Sequence, residues 1–129
     1  MTAHRAMLQT PLDGDAVQCD LCGHHCVIPS GQLGFCQVRH NVDGELQTES
    51  WGRLIAATPD PIEKKPFYHV LPASRSFSVA TAGCNFRCRF CQNWRISQRS
   101  DGDGLLDVAE IAPQTIVAEA LAAGCESIS

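Results

Sequence analysis

Apolar positions in this chain come in short bursts separated by glycine, proline and small polar residues, a pattern that predicts small elements joined by turns. Residues 45–50 and 53–57 read as two short strands with Trp51-Gly52 as a bend or bulge between them. Residues 75–81 read as a further strand, with Phe77 and Val79 near its centre, running directly into Gly83-Cys84. Pro113 suits the first turn of a helix that carries Ile116, Val117, Ala120 and Leu121 at helical spacing and stops at Gly124. A last strand opens at Cys125. Strand, loop, helix and strand make a βαβ-type unit, so the second half reads as the start of a parallel α/β layer.

The remaining segments are punctuation. Residues 1–17 show no strong periodicity and read as a loose lead-in; residues 19–36 are rich in cysteine and glycine and suit a ligand-held loop region. Thr58-Pro59-Asp60-Pro61 and Pro66 mark a connector, because each proline pushes its predecessor into extended geometry and blocks a helix. Ser100-Asp101-Gly102-Asp103-Gly104 is a polar turn without the ligand spacing of a calcium loop, and Asp103 or Asp107 is positioned to start a short helix over residues 108–111. The expected organisation is therefore a cysteine-rich segment with short strands over 1–58, a connector over 59–74 and an α/β portion over 75–129. A parallel pair with one covering helix leaves apolar strand faces and an open edge, so the chain reads as incomplete.

Cysteine placement changes the picture most. Cys84, Cys88 and Cys91 form a C-x3-C-x2-C run in the segment Ala82-Gly83-Cys84-Asn85-Phe86-Arg87-Cys88-Arg89-Phe90-Cys91-Gln92-Asn93-Trp94. Three thiolates on one short loop can hold an iron–sulfur cluster and leave one iron free, and backbone N–H groups between them can tune its potential. Three thiols completing a zinc knuckle with a distant ligand, or staying metal-free, are the plainer readings; the spacing departs from the paired C-x2-C expected of structural zinc. Arg87, Arg89, Arg95 and Arg99 place positive charge on and beside this loop, as a contact for an anionic cofactor or as a solvated surface. Trp94 reads as a hydrophobic cover for the loop, whereas Tyr68 and His69 lack any fixed spacing to a partner and read as packing or surface residues.

The same segment resembles the C-x3-C-x-aromatic-C signature of radical S-adenosylmethionine enzymes, with Phe90 as the aromatic. Together with Ile62-Glu63-Lys64-Lys65-Pro66-Phe67-Tyr68-His69 it is similar to the radical S-adenosylmethionine component of the AmmeMemoRadiSam system, a group akin to pyruvate formate-lyase activating enzymes. The resemblance implies a [4Fe-4S] cluster on Cys84, Cys88 and Cys91, with S-adenosylmethionine on the fourth iron and reductive cleavage of its sulfonium to a 5'-deoxyadenosyl radical. It implies that the backbone around Phe90 helps seat the adenine. It also implies a flavodoxin- or ferredoxin-type electron donor, an unidentified substrate that by analogy with the activating enzymes is a protein, and a fold class of α/β, the N-terminal part of a partial (β/α)6 barrel behind a small cysteine-rich β segment.

Composition narrows the class without naming the chemistry. A formal charge of −4 over 129 residues gives no dominant basic face, which argues against nucleic acid as the main partner. No apolar stretch approaches the roughly 20 residues that cross a bilayer, and no basic-then-apolar leader opens the sequence, so a cytoplasmic protein is expected. Eight cysteines in such a compartment are more naturally metal ligands or reactive thiols than disulfides. Cys19, Cys22, Cys26 and Cys36, with His24 and His25 nearby, form a second candidate site for zinc or for another iron–sulfur cluster, although the spacing matches neither ferredoxin pattern. Cys125 reads as a core thiol. A non-catalytic zinc-binding interaction module is the alternative from another class.

Overall fold

A computed structural model describes residues 4–99 and 104–129; the polar turn expected from Ser100 and the helix start at Asp103 lie largely outside them. The chain divides into two compact units, one formed by Met1–Trp51 with Ala82–Asp107 and the other by Gly52–Thr81 with Val108–Ser129.

The first unit begins as six short strands, β1 (His4–Arg5), β2 (Gln9–Pro11), β3 (Val17–Cys19), β4 (Val27–Ile28), β5 (Arg39–Val42) and β6 (Glu45–Thr48). They make two three-stranded sheets, ordered β1-β6-β5 and β2-β3-β4, with antiparallel pairing throughout. The β5–β6 hairpin turns at Asp43 and Gly44, whose φ values of 49° and 85° are the left-handed pair that matches the twist of antiparallel strands. Ala6, Val17, Cys19, Ile28 and Leu46 form the core, with Cys26 packed against it. Asn41, fully buried, joins the two sheets: its Nδ2 donates to the carbonyls of Ile28 at 2.7 Å and Asp15 at 2.8 Å, and its Oδ1 accepts from the Gly44 N–H at 2.9 Å. Every polar atom of that side chain is satisfied, which is what makes an amide tolerable there. The part of this unit that returns from residue 82 carries one helical turn, α1 (Trp94–Ser97).

The second unit is built on one sheet, β7 (Ala56–Pro61), β8 (Arg75–Ala80) and β9 (Ser127–Ile128), ordered β7-β8-β9. β7 runs antiparallel to β8, and β9 runs parallel to it with Phe77 opposite Ile128. The helix α2 (Pro113–Ala122) starts with proline in its first turn and closes where Gly124, at φ 67°, lets the N–H groups of Gly124 and Cys125 reach the carbonyls of Leu121 and Ala120. Its inner side packs Ala120 with Phe77 and Cys125, flanked by Val79, Ile116 and Ala123.

The expected α/β class, an opening portion of a partial (β/α)6 barrel, is overturned. The described chain is three small three-stranded sheets, five of whose six strand pairings are antiparallel, with helices of only four and ten residues. In residues 75–129, where the barrel was expected, β8 has the parallel β9 on one side but the antiparallel β7 on the other, so the sheet is a small mixed one and not the all-parallel layer of a barrel. Smaller corrections have local causes. The lead-in is not loose: β1 and β2 lie in it, and β3 begins at its end. β5 escapes the pattern because its inward positions are the polar Arg39 and Asn41. The strand expected at 53–57 lies at Ala56–Pro61 and absorbs the proline connector; Pro59 and Pro61 are tolerated because β7 is an edge strand with β8 as its one neighbour in the sheet. No helix forms over 108–111.

Candidate metal centre

The C-x3-C-x2-C segment is an irregular loop closed at its base. Gly83 opens it at φ 89°, where a Cβ would sit 2.6 Å from the Cys36 carbonyl oxygen and 2.7 Å from a Val38 methyl, so only glycine lets the two backbones approach. The Gly83 N–H donates to the Ile96 carbonyl at 2.9 Å. Gln98 staples the loop a second time: its Nε2 donates to the Phe86 carbonyl at 3.1 Å and its Oε1 accepts from Arg87 at 2.6 Å. Between these anchors no residue from Cys84 to Asn93 belongs to a helix or strand, and a turn brings the Cys91 N–H to the Cys88 carbonyl at 3.2 Å.

All three thiols are free of disulfides; Cys88 is exposed, and Cys84 and Cys91 are half-buried. Cys91 Sγ lies 3.3 Å from Ser97 Oγ on α1. Phe90 is 87% exposed. Trp94 is exposed as well, with the Arg95 guanidinium 5.7 Å from its ring centroid, so it does not bury the loop as the sequence suggested. Tyr68 and His69 are surface residues of the other unit.

Residues of the cysteine-rich segment flank the loop. His24 Nε2 makes a 2.7 Å hydrogen bond with the Asn85 carbonyl, so that nitrogen carries the ring proton. The same ring stacks on Phe35 at a centroid distance of 4.3 Å, and the Arg87 guanidinium lies 4.9 Å from the Phe35 centroid while donating to the Phe35 carbonyl at 3.0 Å. Arg99 donates to the Gln37 carbonyl at 2.5 Å and pairs with Glu49 at 2.7 Å. Two of the four arginines noted in the sequence are therefore committed to the protein itself. Phe35 and Gln98 carried no signal in the sequence, since their partners in the loop or the lead segment are far away along the chain or unmarked by any spacing.

The first cysteine group is placed differently. Cys19 ends β3 in the core, where Arg39 donates to its Sγ at 3.6 Å and to the Met7 carbonyl at 2.8 Å. Its N–H bonds the Cys26 carbonyl at 2.9 Å, and a tight turn brings the His25 N–H to the Cys22 carbonyl at 3.1 Å. Asp20 sits between these cysteines with its carboxyl held below the usual carboxylate range by hydrogen bonds from Gln18 and Thr10, each 2.7 Å, aided by His25. Cys22, Cys26 and Cys36 are half-buried. Among the described residues no three histidine, cysteine or carboxylate side chains are gathered as a metal site, at either cysteine group.

The donor set of the loop nevertheless fits an iron–sulfur cluster in kind. Three soft thiol ligands stand on a short irregular backbone, unpaired with one another and not fixed by regular secondary structure. No helix among the described residues is long and apolar enough to cross a membrane.

Comparison with known proteins adds one relative. The chain is 41% identical over 124 residues, 96% of its length, to "Uncharacterized protein MJ0808" of Methanocaldococcus jannaschii, and spans 37% of the length of that protein. No family model and no solved structure matches.

Proposed function

We propose that this chain carries the cluster-binding loop of a radical S-adenosylmethionine enzyme, related in chemistry to the enzymes that activate glycyl-radical proteins. The observation that supports the reading is the loop itself: Cys84, Cys88 and Cys91, in C-x3-C-x2-C order, all free of disulfides on an irregular, anchored segment that also presents an exposed Phe90. Cys84, Cys88 and Cys91 are the residues that would hold a [4Fe-4S] cluster, and the backbone around Phe90 would help seat the adenine of S-adenosylmethionine. With both bound, the group supplies one-electron reductive cleavage of the sulfonium.

The protein's own contribution is to carry three free cysteine thiols on one short loop, to keep that loop closed through Gly83, Ile96 and Gln98, and to leave Cys88 and Phe90 open to an incoming cofactor. A cytoplasmic setting, which keeps thiols reduced, suits this chemistry. A flavodoxin- or ferredoxin-type donor would supply the electron, and the proposed substrate is a protein.

Anaerobic reconstitution with iron and sulfide tests the proposal, followed by visible absorption and low-temperature EPR with and without S-adenosylmethionine. The expected result is a cluster spectrum that S-adenosylmethionine perturbs and that Cys84→Ala abolishes. Retention of the same spectrum by Cys84→Ala, or recovery of zinc with no iron in the purified protein, would overturn it in favour of a zinc-binding module.

A further inference from the structure

The hydrogen bonds around the loop give the cysteine-rich segment a task that its own cysteines do not reveal. Two carbonyls inside the first cysteine interval are tied outward: Asn85 to His24 at 2.7 Å, and Phe86 to Gln98 at 3.1 Å. A trans peptide presents its N–H on the side opposite its C=O, so these two anchors turn the Phe86 and Arg87 N–H groups away from the anchoring residues. Those N–H groups lie between Cys84 and Cys88 in sequence, and N–H donors beside ligating sulfurs are a main control on cluster potential.

Arg87 completes the arrangement. Its guanidinium is engaged by the Gln98 side chain at 2.6 Å, the Phe35 carbonyl at 3.0 Å and the Phe35 ring at 4.9 Å, and the same ring stacks on His24. The side chain that composition offered as a contact for an anionic cofactor is instead committed to protein groups. Loop and lead segment lie in one compact unit, although 52 residues separate Arg87 from Phe35 and 61 separate His24 from Asn85.

We propose that His24, Phe35 and Arg87 form a clamp through which the cysteine-rich segment positions the loop of Cys84, Cys88 and Cys91 and sets the direction of its backbone donors. These are positioning residues, and the role rests on the cluster-binding reading above. Arg87 and His24 both contact Phe35 and both bear on the stretch from Asn85 to Arg87, so removing either loosens the loop without removing a cysteine.

The test uses the full chain, reconstituted anaerobically with iron and sulfide, with two readouts: the midpoint potential of the cluster and its rate of loss to a chelator. His24→Ala and Arg87→Ala are expected to keep the wild-type far-UV circular dichroism, to shift the potential and to lose the cluster about tenfold faster, the lower end of what removing such supporting contacts does at metal sites. His24→Gln, which can still donate to the Asn85 carbonyl, restores much of the wild-type behaviour. Should an alanine variant fail to fold, Arg87→Lys, which keeps the charge but cannot reproduce the planar stacking and forked donation, carries the same comparison. A wild-type protein that takes up no cluster sinks the underlying reading and the clamp with it. If the wild type takes up a cluster and the His24 and Arg87 variants match it in both readouts, the clamp alone is overturned.

Discussion

Cys19 and Cys88 belong to the same compact unit and are the same residue type, yet their settings are opposite. Cys19 ends a strand, is buried with Val17, Ile28 and Leu46, and receives a hydrogen bond from Arg39; Cys88 lies on an irregular loop, exposed and free of a disulfide. A cysteine in a packed strand serves as a small apolar side chain, and its thiol is spent on packing. A cysteine on an anchored loop outside the core contributes little to stability and leaves its sulfur accessible. Sequence spacing offers the four cysteines from Cys19 to Cys36 as a second candidate site beside the loop, and the fold adds that one of them, Cys19, is packed in the core.

The largest effect on the core side of this contrast belongs to Asn41. Asn41→Ala removes three hydrogen bonds, one to β4 of the other sheet, one to the loop before β3 and one within its own hairpin, and leaves buried backbone groups unpaired, so we expect a loss of about 3 kcal/mol, read from denaturant unfolding. An unfolding midpoint equal to that of the wild type would mean that the two sheets do not depend on this side chain.

The cysteines themselves give the next, more direct test. In metal-free protein Cys19→Ala should destabilise by about 1.5 kcal/mol, while Cys88→Ala stays within about 0.5 kcal/mol of wild type. After reconstitution the order reverses, with Cys88→Ala losing the cluster and Cys19→Ala keeping it. Equal stability effects from the two substitutions would erase the distinction between packed and available thiols.

The smallest effect lies in the other unit. Asp60 is held below the usual carboxylate range first by the hydrogen bond from Lys64 at 2.8 Å and then by that from Ser78 at 2.6 Å. Its folded value is depressed, so its contribution is present above the ordinary carboxylate value and disappears as pH falls through the lower folded one. Wild type should therefore exceed Asp60→Asn in stability at neutral pH, and the gap should close in acid; thermal melts across that range measure it. A gap independent of pH would assign the effect to packing instead of charge.

Legibility in the sequence followed the range of the interactions involved. The helix from Pro113 to the Gly124 stop was readable because its cap, its first turn and its apolar spacing are all local. The strand at Arg75–Ala80 was readable for the same reason. β5 was not, because its buried positions hold Arg39 and Asn41, whose burial makes sense only once Met7, Asp15 and Ile28 are brought to them. The edge strand containing Pro59 and Pro61 was hidden because whether a proline is tolerated depends on which side of the strand lacks a neighbour, and that is a property of the sheet.

The candidate site divides along the same line. The cysteine spacing on which the proposal rests lies within thirteen consecutive residues, Ala82 to Trp94, because residue type and interval are written into the chain. The antiparallel architecture, the burial of Cys19 and the approach of His24, Phe35 and Arg87 to one another were settled by tertiary contacts. Each depends on groups distant in sequence finding hydrogen-bond partners or apolar cover in the folded chain, and no local pattern encodes such a meeting.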